Sequence, residues 1–226
     1  MKMRHSFMLL TAFVCVALTF NACKKSGSGD NKPTEQPSKI PGMGENTGTP
    51  EGEQYVLPAG ITLSGTIYGA YCDTTYKVGS GYLVTVCAGL FNSKTKDTTI
   101  TLPAGLVILA TNAAADQHGL LIQETQVVLK ARKLTRVGLA AYCINASKHP
   151  SSSGLTYKLG PVSSSELMRE LIGLLRNKKL RRNEYQDEDA YLEAIGAAQG
   201  LVWSITDGEG MTDMVRQLTL DEIPNR

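Results

Sequence analysis

The chain has 226 residues, with 42% hydrophobic and 19% charged side chains and a formal charge of +2. Lys2 and Arg4 account for that excess, because residues 1–22 contain no acid, so the rest of the chain is near neutral and nothing favours a nucleic-acid partner. The part beyond residue 54 is ample for one domain or a compact pair of subdomains.

At the start, Lys2 and Arg4 precede an apolar run from Phe7 to Phe20, followed by Ala22-Cys23. The run is too short to span a bilayer comfortably, which takes ~20 apolar residues. The order resembles a bacterial lipoprotein signal, in which the chain is cut before the cysteine and that cysteine is acylated. The resemblance implies a signal peptide over 1–22, a palmitate-type lipid on Cys23, and a location at the outer membrane or cell surface, since Lys24 stands where an Asp would mark inner-membrane retention. An ordinary secretory signal is the alternative. Residues 24–54 are rich in Gly, Ser, Pro, Thr, Asn and Glu, so with Cys23 they read as a lipidated, disordered tether over 23–54.

Three cysteines then remain, Cys72, Cys87 and Cys143, in an oxidising compartment. Cys72 and Cys87 flank Gly79-Ser80-Gly81 as the two sides of a hairpin would, and are candidates to pair across it; two buried free thiols are the alternative. A bridge there leaves Cys143 over.

From Tyr55 to Cys143 the apolar residues alternate, with turn residues between the runs. Strands are predicted around 61–67, 82–91, 98–102, 106–110, 120–125, 127–130 and 136–143. Such short strands suggest an antiparallel β-sandwich or barrel. After Cys143 the character changes. Ser163 to Glu166 has the pattern of a capping box and leads into a helix whose apolar face carries Leu167, Met168, Leu171, Ile172, Leu174 and Leu175. A second helix is predicted between Asp187 and Gly208, acidic at its start, with Leu192, Ile195, Gln199 and Val202 on one face beside Trp203. Thr212 caps a short third helix, and residues 221–226 read as a fraying tail. The expected fold is therefore α+β, a β part over 55–143 followed by a lobe of two to three helices over 144–226.

Gln199 points inward in this reading. A buried carboxamide without partners costs ~1 to 3 kcal/mol, so it must be hydrogen-bonded or have undergone chemistry. Tyr142-Cys143-Ile144-Asn145 with Pro150, the Ser-rich cap with Glu166-Leu167, and Ala198-Gln199-Gly200-Leu201-Val202-Trp203 followed by Ser204-Ile205-Thr206-Asp207 resemble the thioester domains of bacterial surface adhesins. In that family an aromatic-Cys-apolar-Asn/Asp motif supplies a thiol and a Thr-Gln-x-Ala-apolar-Trp helix supplies the glutamine of an internal thioester. Ala198 and Leu201 stand here in place of the Thr and the Ala of that motif.

The resemblance implies a cross-link between Cys143 and Gln199, with Tyr142, Asn145 and Trp203 shaping the site. It implies a single-use covalent clamp for amines on a protein or other surface, not a turnover enzyme, and it calls for no metal or cofactor. An unperturbed thiol, with a pKa of about 8.5, is only slightly ionised at neutral pH, so attack on the amide depends on positioning and on polarising its oxygen. Two rivals remain. One is a non-covalent binding or structural β-sandwich lipoprotein in which Gln199 is hydrogen-bonded in the core; the other, a cysteine hydrolase, needs His118 or His149 against Cys143, oriented by a group such as Asn145. The sequence leaves the oligomeric state open.

Overall fold

The computed structural model describes residues 34–70, 72 and 76–226. The expected signal peptide and Cys23 lie outside the described residues. Among the described residues there are eleven strands: β1 (Gly52–Gln54), β2 (Ile61–Leu63), β3 (Ile67–Gly69), β4 (Lys77–Gly79), β5 (Val84–Asn92), β6 (Thr98–Leu102), β7 (Leu106–Ala110), β8 (Gly119–Leu120), β9 (Thr125–Leu129), β10 (Leu134–Cys143) and β11 (Thr156–Ser163). Three helices follow, α1 (Glu166–Leu175), α2 (Glu188–Thr206) and α3 (Asp213–Glu222).

Strand β5 pairs with β3, β3 with β11, β11 with β7, β7 with β8, β8 with β10, and β10 again with β5. All six pairings are antiparallel, so the strands close into a six-stranded barrel and the fold is α+β. Closure removes the open edges that a sandwich would leave. The ribbon of β6 and β9 packs its buried side, Ile100, Leu102, Val127 and Leu129, onto the same core. Along β9 buried and exposed residues alternate without a break, as a half-covered strand requires.

Two cores lie on either side of the barrel wall. Leu106, Ile108 and Ala110 of β7 point into the barrel, whereas Val107 and Leu109 point out against α1 and α2. That is why β7 is apolar at every position: both of its faces are covered. Helix α2 starts where its sequence says it should, with the Asp187 carboxylate accepting from the N–H groups of Asp189 and Ala190.

Several expectations are corrected. Residues 34–54 are not a free tether: Ile40 and Met43 are buried in the helix-side core, and Gly52–Gln54 pairs with β11. Two well-placed apolar side chains and main-chain hydrogen bonds hold a stretch whose overall composition is polar. The β part does not end at Cys143, because β11 completes the barrel; a register shift between Leu159 and Val162, around Gly160-Pro161, hides its alternation. The cap of α1 is Ser165, whose hydroxyl accepts from Met168 N–H at 3.2 Å, in place of Ser163. Leu192 is exposed, so the buried residues of α2 begin at Ala194 and Ile195. The last residues do not fray: Ile223 is buried and Arg226 N–H donates to Asn177 O.

Cys72 and Cys87 form a disulfide with Cα atoms 4.9 Å apart. It does not cross a hairpin, since β4 pairs in parallel with β10 and not with β5. The bridge instead fastens the segment after β3 to β5.

Candidate functional site

Cys143 is the last residue of β10, and side chains alternate across a strand. Val137, Leu139, Ala141 and Cys143 therefore belong to the barrel core, while Tyr142 and Ile144 pack against the helices. β5 accompanies β10 only as far as the Val84–Ala141 pair. On the opposite edge Ile144 N–H donates to His118 O, so the N–H and C=O of Cys143 face the side that β5 has left.

Gln199 fills that gap. Its Oε1 accepts from Cys143 N–H at 2.9 Å and its Nε2 donates to Cys143 O at 2.8 Å. One side-chain amide thus does for Cys143 what a neighbouring strand would. With a C=O bond of about 1.23 Å, the 2.9 Å contact keeps the amide carbon no more than about 4 Å from the Cys143 nitrogen. Helix position explains the reach: Gln199 lies on the buried face with Ile195 and Val202, one turn to either side.

Cys143 is a free, fully buried cysteine. Asn145 N–H donates to its sulfur at 3.3 Å. Burial pushes the thiol up to about 11; Asn145 N–H and the Trp203 side chain oppose that effect without cancelling it. The thiol is therefore neutral at physiological pH. Trp203 Nε1 is buried and satisfies no hydrogen-bond geometry among the described residues, so its contact with the sulfur is looser than that of Asn145. The Tyr142 ring is completely buried, its hydroxyl next to Ser80 but without full hydrogen-bond geometry, and burial raises its pKa.

Asn145 is the junction of the site. Its Oδ1 accepts from His118 N–H at 3.0 Å, and its Nδ2 donates to Gly44 O at 2.9 Å and Gly42 O at 3.2 Å. Comparison with protein-family models, curated proteins and solved structures finds no match. The site is therefore read from its own geometry.

The two histidines do not join Cys143 in any hydrogen bond among the described residues. His118 Nδ1 accepts from Ala110 N–H at 3.0 Å, and burial lowers the imidazole to about 4, so it is a neutral structural group. His149 is exposed, its Nδ1 3.9 Å from Asp116 Oδ1.

Sequence reasoning missed what covers the site. Residues 34–50 run as a strap over the end of α2 and the residues after Cys143. Ser38 N–H donates to Ile205 O, Ser38 Oγ to Gly208 O, and Gly44 N–H to Ile144 O. The Glu35 carboxylate accepts from Ser165 Oγ and from Leu167 N–H at the start of α1. Gly44 has a φ of +59°, and a Cβ there would lie 2.0 Å from Thr206 O. That close approach is the signal in Pro41-Gly42-Met43-Gly44: glycine where two backbones touch, beside a lone apolar anchor. Tyr157 of β11 was also missed. Its hydroxyl is buried and unpartnered, and its ring lies within electrostatic reach of Cys143 and Asp116.

Proposed function

We propose that this domain is a single-use covalent clamp, in which Cys143 and Gln199 close into an internal thioester that an amine on another surface later opens. The thiol hydrogen leaves with the amide nitrogen as ammonia, and the sulfur takes its place on the Gln199 side-chain carbon. An incoming primary amine then forms an amide at that carbon, and the Cys143 thiol is regenerated.

The observation that supports the reading is the double hydrogen bond between the Gln199 carboxamide and the Cys143 main chain. It holds the electrophile beside the residue that carries the nucleophile, and Cys143 N–H polarises Oε1 as one arm of an oxyanion hole would. Burial at this depth excludes water from the product. A groove of about 630 Å³ between the strap and the end of α2, lined in part by Lys39, Glu45, Ala146 and Asp207, begins one residue from Asn145 and offers a polar approach to the site. On this reading the protein is a lipid-anchored adhesin-like surface protein, and its partner is a protein or other amine-bearing surface.

The same double bond favours a second reading. A glutamine with both amide ends satisfied is a sufficient structural element by itself, and the domain is then a non-covalent binding lipoprotein. Intact-mass measurement separates the two. The clamp predicts a mass lower by one ammonia, a species to which methylamine adds its full mass at Gln199, and both changes disappear in Cys143→Ala. An unmodified mass, with one thiol titrating after denaturation under non-reducing conditions, rules the clamp out.

A further inference from the structure

Strand β10 has a second end, Leu134, and the surface there is strongly basic. Residues 91–97 and 128–136 hold six cations, Lys94, Lys96, Lys130, Arg132, Lys133 and Arg136, and one acid, Asp97. All seven are exposed. The two turns are one structure: Arg132 N–H donates to Lys94 O, Asn92 N–H to Lys133 O, and Asn92 Nδ2 to Lys96 O. Asp97 is already engaged, accepting from Lys130 Nζ at 2.8 Å and Ala131 N–H at 2.9 Å. Six cations against one acid leave five positive charges in excess, and since the whole chain carries +2, the remainder carries three negative charges in excess. The two turns together form a strongly basic patch.

Large apolar side chains stand among these cations. Leu134 is 49% exposed, Val128 45%, Leu63 38% and Phe91 37%. Leu134 and Phe91 face each other across the β5–β10 ladder, and Leu134 shares a shallow groove of about 500 Å³ with Val128, Lys130 and Lys133. A basic turn that only meets water has no use for such residues. Phosphates of a nucleic acid or a sulfated chain are bound by cations and hydrogen-bond donors, which gives exposed aliphatic side chains such as Leu134 and Val128 no part in the contact. Apolar side chains that enter the headgroup region, ringed by long cations that reach outward, suit the interface of an anionic bilayer.

We infer that this end of the barrel docks on an anionic phospholipid membrane. The consequence is orientation. Nine residue steps separate Leu134 from Cys143 along β10, and at about 3.3 Å per residue the two ends lie about 30 Å apart. Docking through Leu134 and Phe91 directs the Cys143 end, the strap and the helices away from the lipid. The surface exists whether or not Cys143 and Gln199 ever bond.

The test uses the chain from residue 24 to 226, which contains every described residue and no acyl group, in vesicle sedimentation. Vesicles of phosphatidylglycerol and phosphatidylcholine in equal parts should bind it, and pure phosphatidylcholine should not. Each basic residue near an anionic surface contributes roughly fivefold to binding, so Lys94→Glu with Lys133→Glu should weaken it at least tenfold. Leu134→Ser, which alters no charge, should weaken it as well while leaving the melting temperature unchanged. Equal binding to both vesicle types overturns the inference, as does binding to neither. Unchanged binding by Leu134→Ser, together with full displacement by heparin, overturns it too and assigns the surface to a polyanion.

Discussion

Replacing Gln199 by Leu removes the carboxamide while nearly keeping its volume, and so tests the bridge to Cys143 with little cavity formation. Two main-chain groups, Cys143 N–H and C=O, lose their partners in a region closed to water. Each unsatisfied buried group costs ~1 to 3 kcal/mol, so the pair costs ~2 to 6 kcal/mol. Cys143→Ala is the control. Measured against the open form, in which Gln199 keeps its amide, it deletes one buried sulfur and leaves both bridging bonds intact, which costs about 1 kcal/mol. For a domain of this size 1 kcal/mol shifts the melting temperature by roughly 2 to 4 °C, so Gln199→Leu should melt about 10 °C below the wild type and Cys143→Ala about 3 °C below. Calorimetry or circular dichroism reads both. Gln199→Glu adds a pH signature. Burial against the Cys143 carbonyl raises this carboxyl above the ordinary value of about 4.3. Its protonated form can bridge Cys143 as the amide does, so the stabilisation is complete below about 4.3 and lost as pH rises through the raised value. The variant should therefore approach wild-type stability in acid and fall behind it at neutral pH. If Gln199→Leu proves as stable as Cys143→Ala, the carboxamide is not bridging the strand and the site as described is wrong.

Two further outcomes follow from the surroundings of the site. Burial lowers His118 from 6.5 to about 4, a group that stabilises the fold while neutral, so stability should be lost as pH falls from about 6.5 towards 4, by on the order of 3 kcal/mol; His118→Asn, whose Oδ1 can still accept from Ala110 N–H, should flatten that part of a stability-against-pH curve, and an unchanged slope would refute the assignment. Gly44→Ala drives a Cβ against Thr206 O and should release the strap, seen as faster amide hydrogen exchange at Ser38 and Gly44 with the barrel strands unaffected; unaltered exchange at both would show that the strap is not held there.

The parts of the fold that could be read from the sequence are those in which one local signal dominates. The Asp187 cap, the inward spacing from Ile195 to Val202 and the Asp207-Gly208 stop fixed α2 closely, and β6, β7 and β9 carry period-two or continuous apolar runs between turns. Legibility failed where the signal is spread out. Ile40 and Met43 are two apolar residues in a polar stretch, and only tertiary contact reveals that they anchor a strap. The bulge in β11 splits its alternation, so the strand that completes the barrel fell within the part expected to be helical. Cys143 and Gln199 lie 56 positions apart, and no periodicity connects them. They were connected by resemblance to a family, and the geometry adds what no motif contains: the contact is made through the main chain of Cys143.

That detail bears on which nucleophile the proposed clamp would prefer. Closing the thioester expels Gln199 Nε2, the donor to Cys143 O, whereas Oε1 can go on accepting from Cys143 N–H. The closed form therefore leaves one buried carbonyl unpaired, at a cost of ~1 to 3 kcal/mol. A primary amine that opens the bond leaves a neutral secondary amide; in its trans form the remaining N–H points away from the face on which Oε1 meets Cys143 N–H, so donation to Cys143 O requires the cis form, at a cost of about 2.5 kcal/mol. Water leaves a carboxylate, which offers no donor and turns a negative charge towards the same carbonyl. What favours an amine product over a hydrolysed one is therefore charge, a neutral amide against a buried carboxylate, at a β10 edge that β5 leaves open after Ala141.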